Sequence, residues 1–306
     1  MSNPYSINFK EYKKNFYDLK KKFPKIENIS KINFIKIGFF NINKLNYYRN
    51  TDIFTSVIKI LTRLIFSLFI NDPIKKENLK KNLIISYATK SQKESYFEDL
   101  ENFFIKNNEP YTKILIPNKS KLRKKVYEKS LNACVIELTS IDNFSNEFKI
   151  LIKNIKSIFN ILVNDKIIFK EKLFLINGIL DAKSISDLRI FEQINKIIQN
   201  YQIKYIFIPF EGHVYERLIC ENINKKIFAF QLAPLFLGTF SIKNLRYSQI
   251  PNVLITLSHY YKNKYEAIFP DKKINFFSRG NKNINNDKNI VFKTNHDINV
   301  ILSPEG

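Results

Sequence analysis

Glycine is scarce in this chain, with 6 in 306 residues, roughly a third of the usual share of about 7%. Each one that remains marks a place where a side chain would not fit or where φ must be positive. Tryptophan is absent, and the only two cysteines, Cys134 and Cys220, lie far apart with no metal-ligand spacing around them. That excludes a disulfide scaffold and a zinc framework and points to a reducing, cytoplasmic setting. Histidine is limited to His213, His259 and His296. A nucleophilic pair of Cys220 with His213 would stand at i and i+7 on a helix, about 10 Å apart along the axis, too far for proton exchange. No apolar leader opens the chain, since Met1 to Lys25 is polar and charged. The longest apolar run, Ile53 to Ile70, carries Lys59 and Arg63 near its middle. This argues against a membrane span and for a buried helix, with an amphipathic helix lying on a surface as the alternative.

Acidic residues are also few: 28 Asp and Glu face 50 Lys and Arg, a formal charge of +22. The excess is concentrated in the first 130 residues, and it suits an anionic partner such as a nucleic acid, a membrane surface or a phosphorylated substrate. Abundant Lys, Asn and Ile is also the pattern left by AT-rich coding, so part of the charge is compositional. A hydrophobic content of 44% is enough for a sizeable core.

Residues 1–30 carry Tyr12, Phe16, Leu19 and Phe23 at helical spacing, Ile32 to Phe40 is strand-like, and a long helix runs from about Asp52 to Ile70. A break at Asn71-Asp72-Pro73 closes a basic N-terminal extension, residues 1–80. From Asn82 strands and helices alternate. Strands are expected at Leu83–Tyr87, Thr112–Ile116, Ala133–Leu138, Tyr205–Pro209, Ile227–Phe230, Val253–Thr256 and Ile274–Phe277. Helices fall at Gln92–Asn107, in the basic stretch before Ala133, and at Phe144–Asn164, Ile185–Tyr201 and Tyr260–Phe269, while Leu173–Ile176 reads either way. This rhythm predicts an α/β fold for residues 81–280, a mostly parallel Rossmann-like sheet with helices on both faces. Residues 281–306 read as an Asn- and Lys-rich linker and the first strand of a further domain.

One stretch concentrates chemistry. Between Tyr205 and Phe230 the order is strand, turn, short helix, strand, and the turn gathers Glu211, Gly212 and His213 ahead of Glu216 and Arg217. In open α/β sheets ligands bind at the carboxyl ends of strands, which places this turn at a candidate site. A helix beginning near His213 would offer unpaired N–H groups to a phosphate or carboxylate. Helical spacing puts Glu216, Arg217 and Cys220 on one side, where they would line a cleft. The plainer alternative makes Glu216 and Arg217 a solvated helix face and His213 an ordinary first-turn residue.

The run Phe210-Glu211-Gly212-His213-Val214-Tyr215-Glu216-Arg217, with Ala229-Phe230-Gln231-Leu232-Ala233-Pro234, Pro251-Asn252-Val253-Leu254-Ile255-Thr256 and the closing Ile301-Leu302-Ser303-Pro304-Glu305-Gly306, resembles bacterial surface-carbohydrate biosynthesis proteins of the capsule and lipopolysaccharide type. The stretch Tyr48 to Phe69 resembles the helical start of the same family. These proteins resemble GT-B glycosyltransferases, in which two Rossmann-like domains face each other across a cleft. The resemblance implies that residues 81–280 are the acceptor-side domain and that 281–306 begin the donor domain. It also implies transfer of a sugar from a nucleotide-sugar donor, bound as substrate and not as cofactor, to a glycan or lipid-linked acceptor. No D-x-D motif is present, which implies a metal-independent reaction. Glu211 is the expected base, with Glu216 second and His213 orienting the acceptor or meeting phosphate. Gly212, Arg217, Gln231, Arg246 and Arg279 are the expected substrate contacts, the arginines through bidentate pairing with anions.

Two other classes fit the charge. A nucleic-acid-binding protein would use the basic N-terminal portion and its aromatics, but zinc-finger, RRM and helix-turn-helix signatures are all missing. A non-catalytic scaffold peripheral to an anionic membrane would use clusters such as Lys20-Lys21-Lys22 and Arg123-Lys124-Lys125.

Overall fold

The computed structural model describes residues 21–22, 50–70, 79–87, 97–117, 125–130, 133–180, 182–211, 213–231, 247–270 and 275–278. The expected strand at Ile32–Phe40, the linker and strand of 281–306, and nearly all of the N-terminal helix lie outside them.

The first half contains α1 (Asn50–Ser67), β1 (Asn82–Tyr87), α2 (Glu98–Lys106), β2 (Tyr111–Ile116), β3 (Lys125–Ser130) and β4 (Ala133–Glu137). Three consecutive helices follow, α3 (Phe144–Leu162), α4 (Phe169–Leu180) and α5 (Ala182–Asn200). The rest is β5 (Tyr205–Pro209), α6 (Val214–Asn222), β6 (Lys226–Phe230), β7 (Val253–Thr256), α7 (His259–Ile268) and β8 (Asn275–Ser278). The strands form one sheet in the order β3-β4-β2-β1-β5-β6-β7-β8. Every neighbouring pair is parallel except β3 with β4. This is an α/β Rossmann-like sheet.

Chain direction within the sheet reverses once. From β1 the chain moves outward to β2 and β4, then returns to the other side of β1 as β5 and continues to β8. Right-handed crossovers then force the two sets of helices onto opposite faces. On one face Ile84, Tyr111, Phe207 and Phe230 pack with Phe97 and Phe104 at α2. On the other, Ile85, Ile114, Ile136, Ile206, Ile208 and Leu254 pack against α5, α6 and Tyr265 of α7. β5 therefore lies inside the sheet with both faces covered, its alternate residues divided between two cores as a period of two requires.

Buried charges tie helices to this frame. Lys113, almost fully buried on β2, pairs with Glu101 of α2, whose other oxygen accepts the Tyr111 hydroxyl at 3.0 Å. Burial and Glu101 raise the Tyr111 phenol above its usual range, burial contributing most. Arg189 of α5 makes a two-pronged pair with Glu147 of α3, Nη2 to Oε2 at 2.9 Å and Nε to Oε1. Glu147 also accepts the Asp142 N–H at 2.8 Å, and Gln193 and Thr139 exchange hydrogen bonds of 3.0 and 3.3 Å.

Two expectations are corrected, and one open reading is resolved. The basic stretch before β4 is not helical where it is described: residues 125–130 are β3, paired antiparallel with β4. Pairing at the sheet edge supplies hydrogen bonds that outweigh local propensity, and a charged strand such as this one suits an edge. The long helix α1 is not buried. Phe54, Ile65 and, just past the helix end, Phe69 are 68, 61 and 76% exposed, and among the described side chains of α1 only Ile60 packs on the main core. Arg63 is partly buried on the inner side, where burial, with repulsion from Arg189, lowers its pKa. The ambiguous Leu173–Ile176 lies in helix α4. Among the described residues no helix is long and apolar enough to cross a membrane.

The Arg189–Glu147 pair yields the first prediction. Glu147→Ala strands a buried guanidinium and should cost about 3–5 kcal/mol, whereas Glu147→Met with Arg189→Met should cost far less. Urea unfolding of the three proteins checks this.

Candidate functional site

The strand order reverses between β1 and β5, and in doubly wound sheets the crevice beyond the carboxyl ends of the strands at such a point is where ligands bind. Pro209 ends β5 and Val214 begins α6, so the turn between them lies at this crevice. The turn is held from within. Glu216, in the first turn of α6 and fully buried, accepts the N–H of Glu211 at 2.8 Å and of His213 at 2.9 Å on the same oxygen, Oε2. This is the reach-back half of a capping box, with the carboxylate at the positive end of the helix.

Asp187, buried on α5, accepts the N–H of Val214 at 3.2 Å. At the start of α6 the Val214 N–H is thus already taken by one protein carboxylate, and the N–H groups of Glu211 and His213 in the turn before it by another. Burying a carboxylate in a fixed cap is favoured over leaving these donors dry.

Glu211 and His213 face outward by comparison. Their side chains are 31 and 29% exposed, and His213 Nε2 stands 3.5 Å from Glu211 Oε2. The imidazole lies nearly parallel to the Tyr215 ring, with centroids 6.0 Å apart and planes 12° apart. Behind them the Tyr215 and Tyr87 hydroxyls meet at 2.7 Å, joining α6 to the end of β1. Burial, with added repulsion from Glu216 and Asp187, pushes both phenols well above their usual range, so they stay protonated and neutral. Tyr265 of α7 is also raised, by burial and by the charges of Glu216 and Glu211.

Of the residues picked from sequence, Glu211 and His213 come together as an accessible pair. Glu216 is enclosed beneath them. Arg217 is also enclosed, at 1% exposure, with its Nε 3.4 Å from the His213 carbonyl. Neither is a solvated face or an open cleft wall. Gln231 is buried beyond β6; its N–H donates to the Ile255 carbonyl at 2.9 Å, and its Oε1 accepts the Leu257 N–H at 3.3 Å. Cys220 packs at the margin of the main core. Gly212, Arg246 and Arg279 lie outside the described residues.

Sequence reading missed Tyr87, Asp187 and Tyr265. Tyr87 had a signal as the last residue of the first sheet strand, legible once β1 is known to neighbour β5. Asp187 and Tyr265 sit inside ordinary helical patterns and are brought here only by packing.

No protein-family model matches the chain, and no curated protein is similar to it. One solved structure, of a trehalose-6-phosphate synthase studied for glycosyl transfer with retention, is similar over 62% of this chain and 42% of its own, at 9% identity and a TM-score of 0.36. The chain therefore spans less than half of that protein.

Burial raises the Glu216 pKa from its ordinary value of 4.5, opposed by His213 and by the two backbone N–H groups. Above about pH 4.5 the unfolded chain releases this proton while the folded chain still holds it. The contribution of Glu216 to stability is therefore largest at low pH and is lost as pH rises through the raised value. Glu216→Gln keeps an acceptor without the titration, so the stability difference between parent and variant should shift toward the variant as pH rises from 4 to 8. Glu216→Ala should cost about 2–4 kcal/mol at pH 4 by orphaning two N–H groups, and less as pH rises. Urea titrations across that range read both outcomes.

Proposed function

We propose that the chain is a glycosyltransferase-like protein of bacterial surface-polysaccharide biosynthesis. It transfers a sugar from a nucleotide-sugar donor to a glycan or lipid-linked acceptor, without a metal ion, at the cytoplasmic side of a membrane. The observation that carries this reading is the Glu211–His213 pair, about one-third exposed, at the crevice where the sheet reverses, on a turn whose backbone Glu216 holds. The motif resemblance around residues 210–217 supports the same assignment.

A base for glycosyl transfer must meet solvent or substrate and keep its proton-accepting oxygen in place. Of the three acids at this turn, only Glu211 satisfies both conditions. Asp187 and Glu216 are buried and engaged by backbone N–H groups. In the proposed step the acceptor hydroxyl attacks the anomeric carbon as Glu211 takes its proton. The bond from that carbon to the diphosphate oxygen breaks, and the electron pair leaves with the nucleoside diphosphate. His213, within reach of the same oxygen, orients the acceptor. Two protein carboxylates already sit at the N-terminus of α6, so in this reading the diphosphate charge falls to cations elsewhere, for which Arg246 and Arg279 are our candidates. Arg217 supports the His213 backbone from below, and Gln231 the β6 exit; both act by positioning. Residues 81–280 serve in this reading as the acceptor-side domain of a GT-B-like pair.

Release of nucleoside diphosphate from a panel of nucleotide sugars, with bacterial lipid extract as acceptor, tests the proposal. Glu211→Gln should lower turnover by about 10²–10⁴-fold and leave the melting temperature unchanged, because the amide keeps the shape and cannot take the proton. His213→Ala should raise KM more than it lowers kcat. Turnover of Glu211→Gln within about threefold of the parent would remove Glu211 as the base.

A further inference from the structure

Helix α3 is built inside out. The side facing the sheet carries Asn146, Glu147 and Asn154, all buried, together with Ile150 and Ile161. The opposite side carries Phe144, Phe148, Ile152, Ile155, Phe159 and Leu162 at intervals of three and four residues, all exposed; Phe159 reaches 62%. Phe144 and Phe148 stack on each other at 5.8 Å in the open. Helix α1 packs against α3 and repeats the arrangement. Arg63 and Ser67 turn inward, while Phe54, Ile58, Leu61, Ile65 and Phe69 face out. A helix whose outer side meets water carries the reverse pattern. Two adjoining helices with apolar outer stripes make a surface larger than the isolated patches normal on monomers.

The rim of this surface is basic. Lys59, Lys149, Lys156 and Lys166 are exposed around the stripes, and Asp165 is the one exposed acid among the described side chains of α1, α3 and the loop to α4. A second copy docking face to face would oppose these lysine rims, which costs energy. An anionic bilayer meets both features, with phosphate at the rim and acyl chains under the stripes. We infer that the outer face of α1 and α3 is a monotopic docking surface that inserts into the acyl boundary of an anionic membrane. It gives the membrane placement proposed above a specific surface, and it does not depend on the chemistry of Glu211.

The chain's lack of tryptophan makes Phe159→Trp a single fluorescent reporter. The full chain should float with phosphatidylcholine–phosphatidylglycerol vesicles, and the Phe159→Trp emission should shift to the blue and be quenched by brominated acyl chains. Binding should weaken in high salt without vanishing. Phe148→Ser with Phe159→Ser, at exposed positions, should reduce vesicle affinity about tenfold or more while the melting temperature is kept. Equal flotation of that double variant, with complete release by salt, would assign binding to charge alone and overturn the inference. So would a reporter that stays water-exposed on bound vesicles, or a dimer in sedimentation velocity that the double variant dissociates while vesicles are ignored. Transfer that proceeds normally without vesicle binding would sink this surface and leave the transferase reading standing; binding intact with an unaffected Glu211→Gln would do the opposite.

Discussion

The pairing of β1 with β5, set by Asn82 opposite Tyr205, Leu83 opposite Ile206 and Ile84 opposite Phe207, is the constraint on which the rest depends. It joins the first strand of the sheet to one entered more than a hundred residues later, and in doing so reverses the direction in which strands are added. Crossovers of one hand then distribute the helices to both faces, and the reversal itself opens the crevice that the Glu211 turn borders. The return from β4 to β5 also has to cross from one side of β1 to the other. The chain makes that journey with α3, α4 and α5 in succession, with α1 laid against α3 and α4. The crevice and the unusual helical layer are two consequences of one topological step.

At the crevice, acids are sorted by depth. Asp187 and Glu216 are spent on backbone donors, so that the turn needs no glycine-rich sequence and no bound anion to hold its shape. Their burial has an electrostatic consequence for what surrounds them. Carboxylates in a low-dielectric setting repel the ionised forms of Tyr87, Tyr215 and Tyr265 and keep those hydroxyls as neutral donors. Glu211 sits above this layer with His213 as its nearest partner, and solvent reaches both. The same residue type is therefore a strut below the turn and a solvent-reached side chain above it, separated by burial alone.

Most of the fold was legible in the sequence because parallel strands covered on both faces read as short apolar runs, as Leu83–Tyr87 and Tyr205–Pro209 do. The failures have separate physical causes. Lys125–Ser130 carries charge at a density that suggests a solvated helix, and its pairing with β4 is a tertiary fact that no local window contains. At the site, strand exit and helix start placed Glu211 and His213 correctly at the turn. Periodicity also put Glu216 and Arg217 on a common side of α6, but it could not reveal that this side is buried, nor that Asp187 reaches the Val214 N–H from 27 residues away. Spacing fixes which residues share a helix face; what faces them is set by packing.

The same limit applies with more force to α1 and α3. Both have strong helical periodicity, and the ordinary rule would turn their apolar stripes to the core and their polar residues to water. In α3 the opposite arrangement holds because the inner side of the helix is fixed by charge. Glu147 must meet Arg189. Rotating α3 to bury Phe148 and Phe159 would bring Glu147 to the surface and leave the buried guanidinium of Arg189 uncompensated, a loss comparable to what burial of two phenylalanines would return. The ion pair thus decides which way the helix faces. A surface this apolar could not be kept in contact with water by hydrophobicity alone, and the electrostatics of the interior account for its outward orientation.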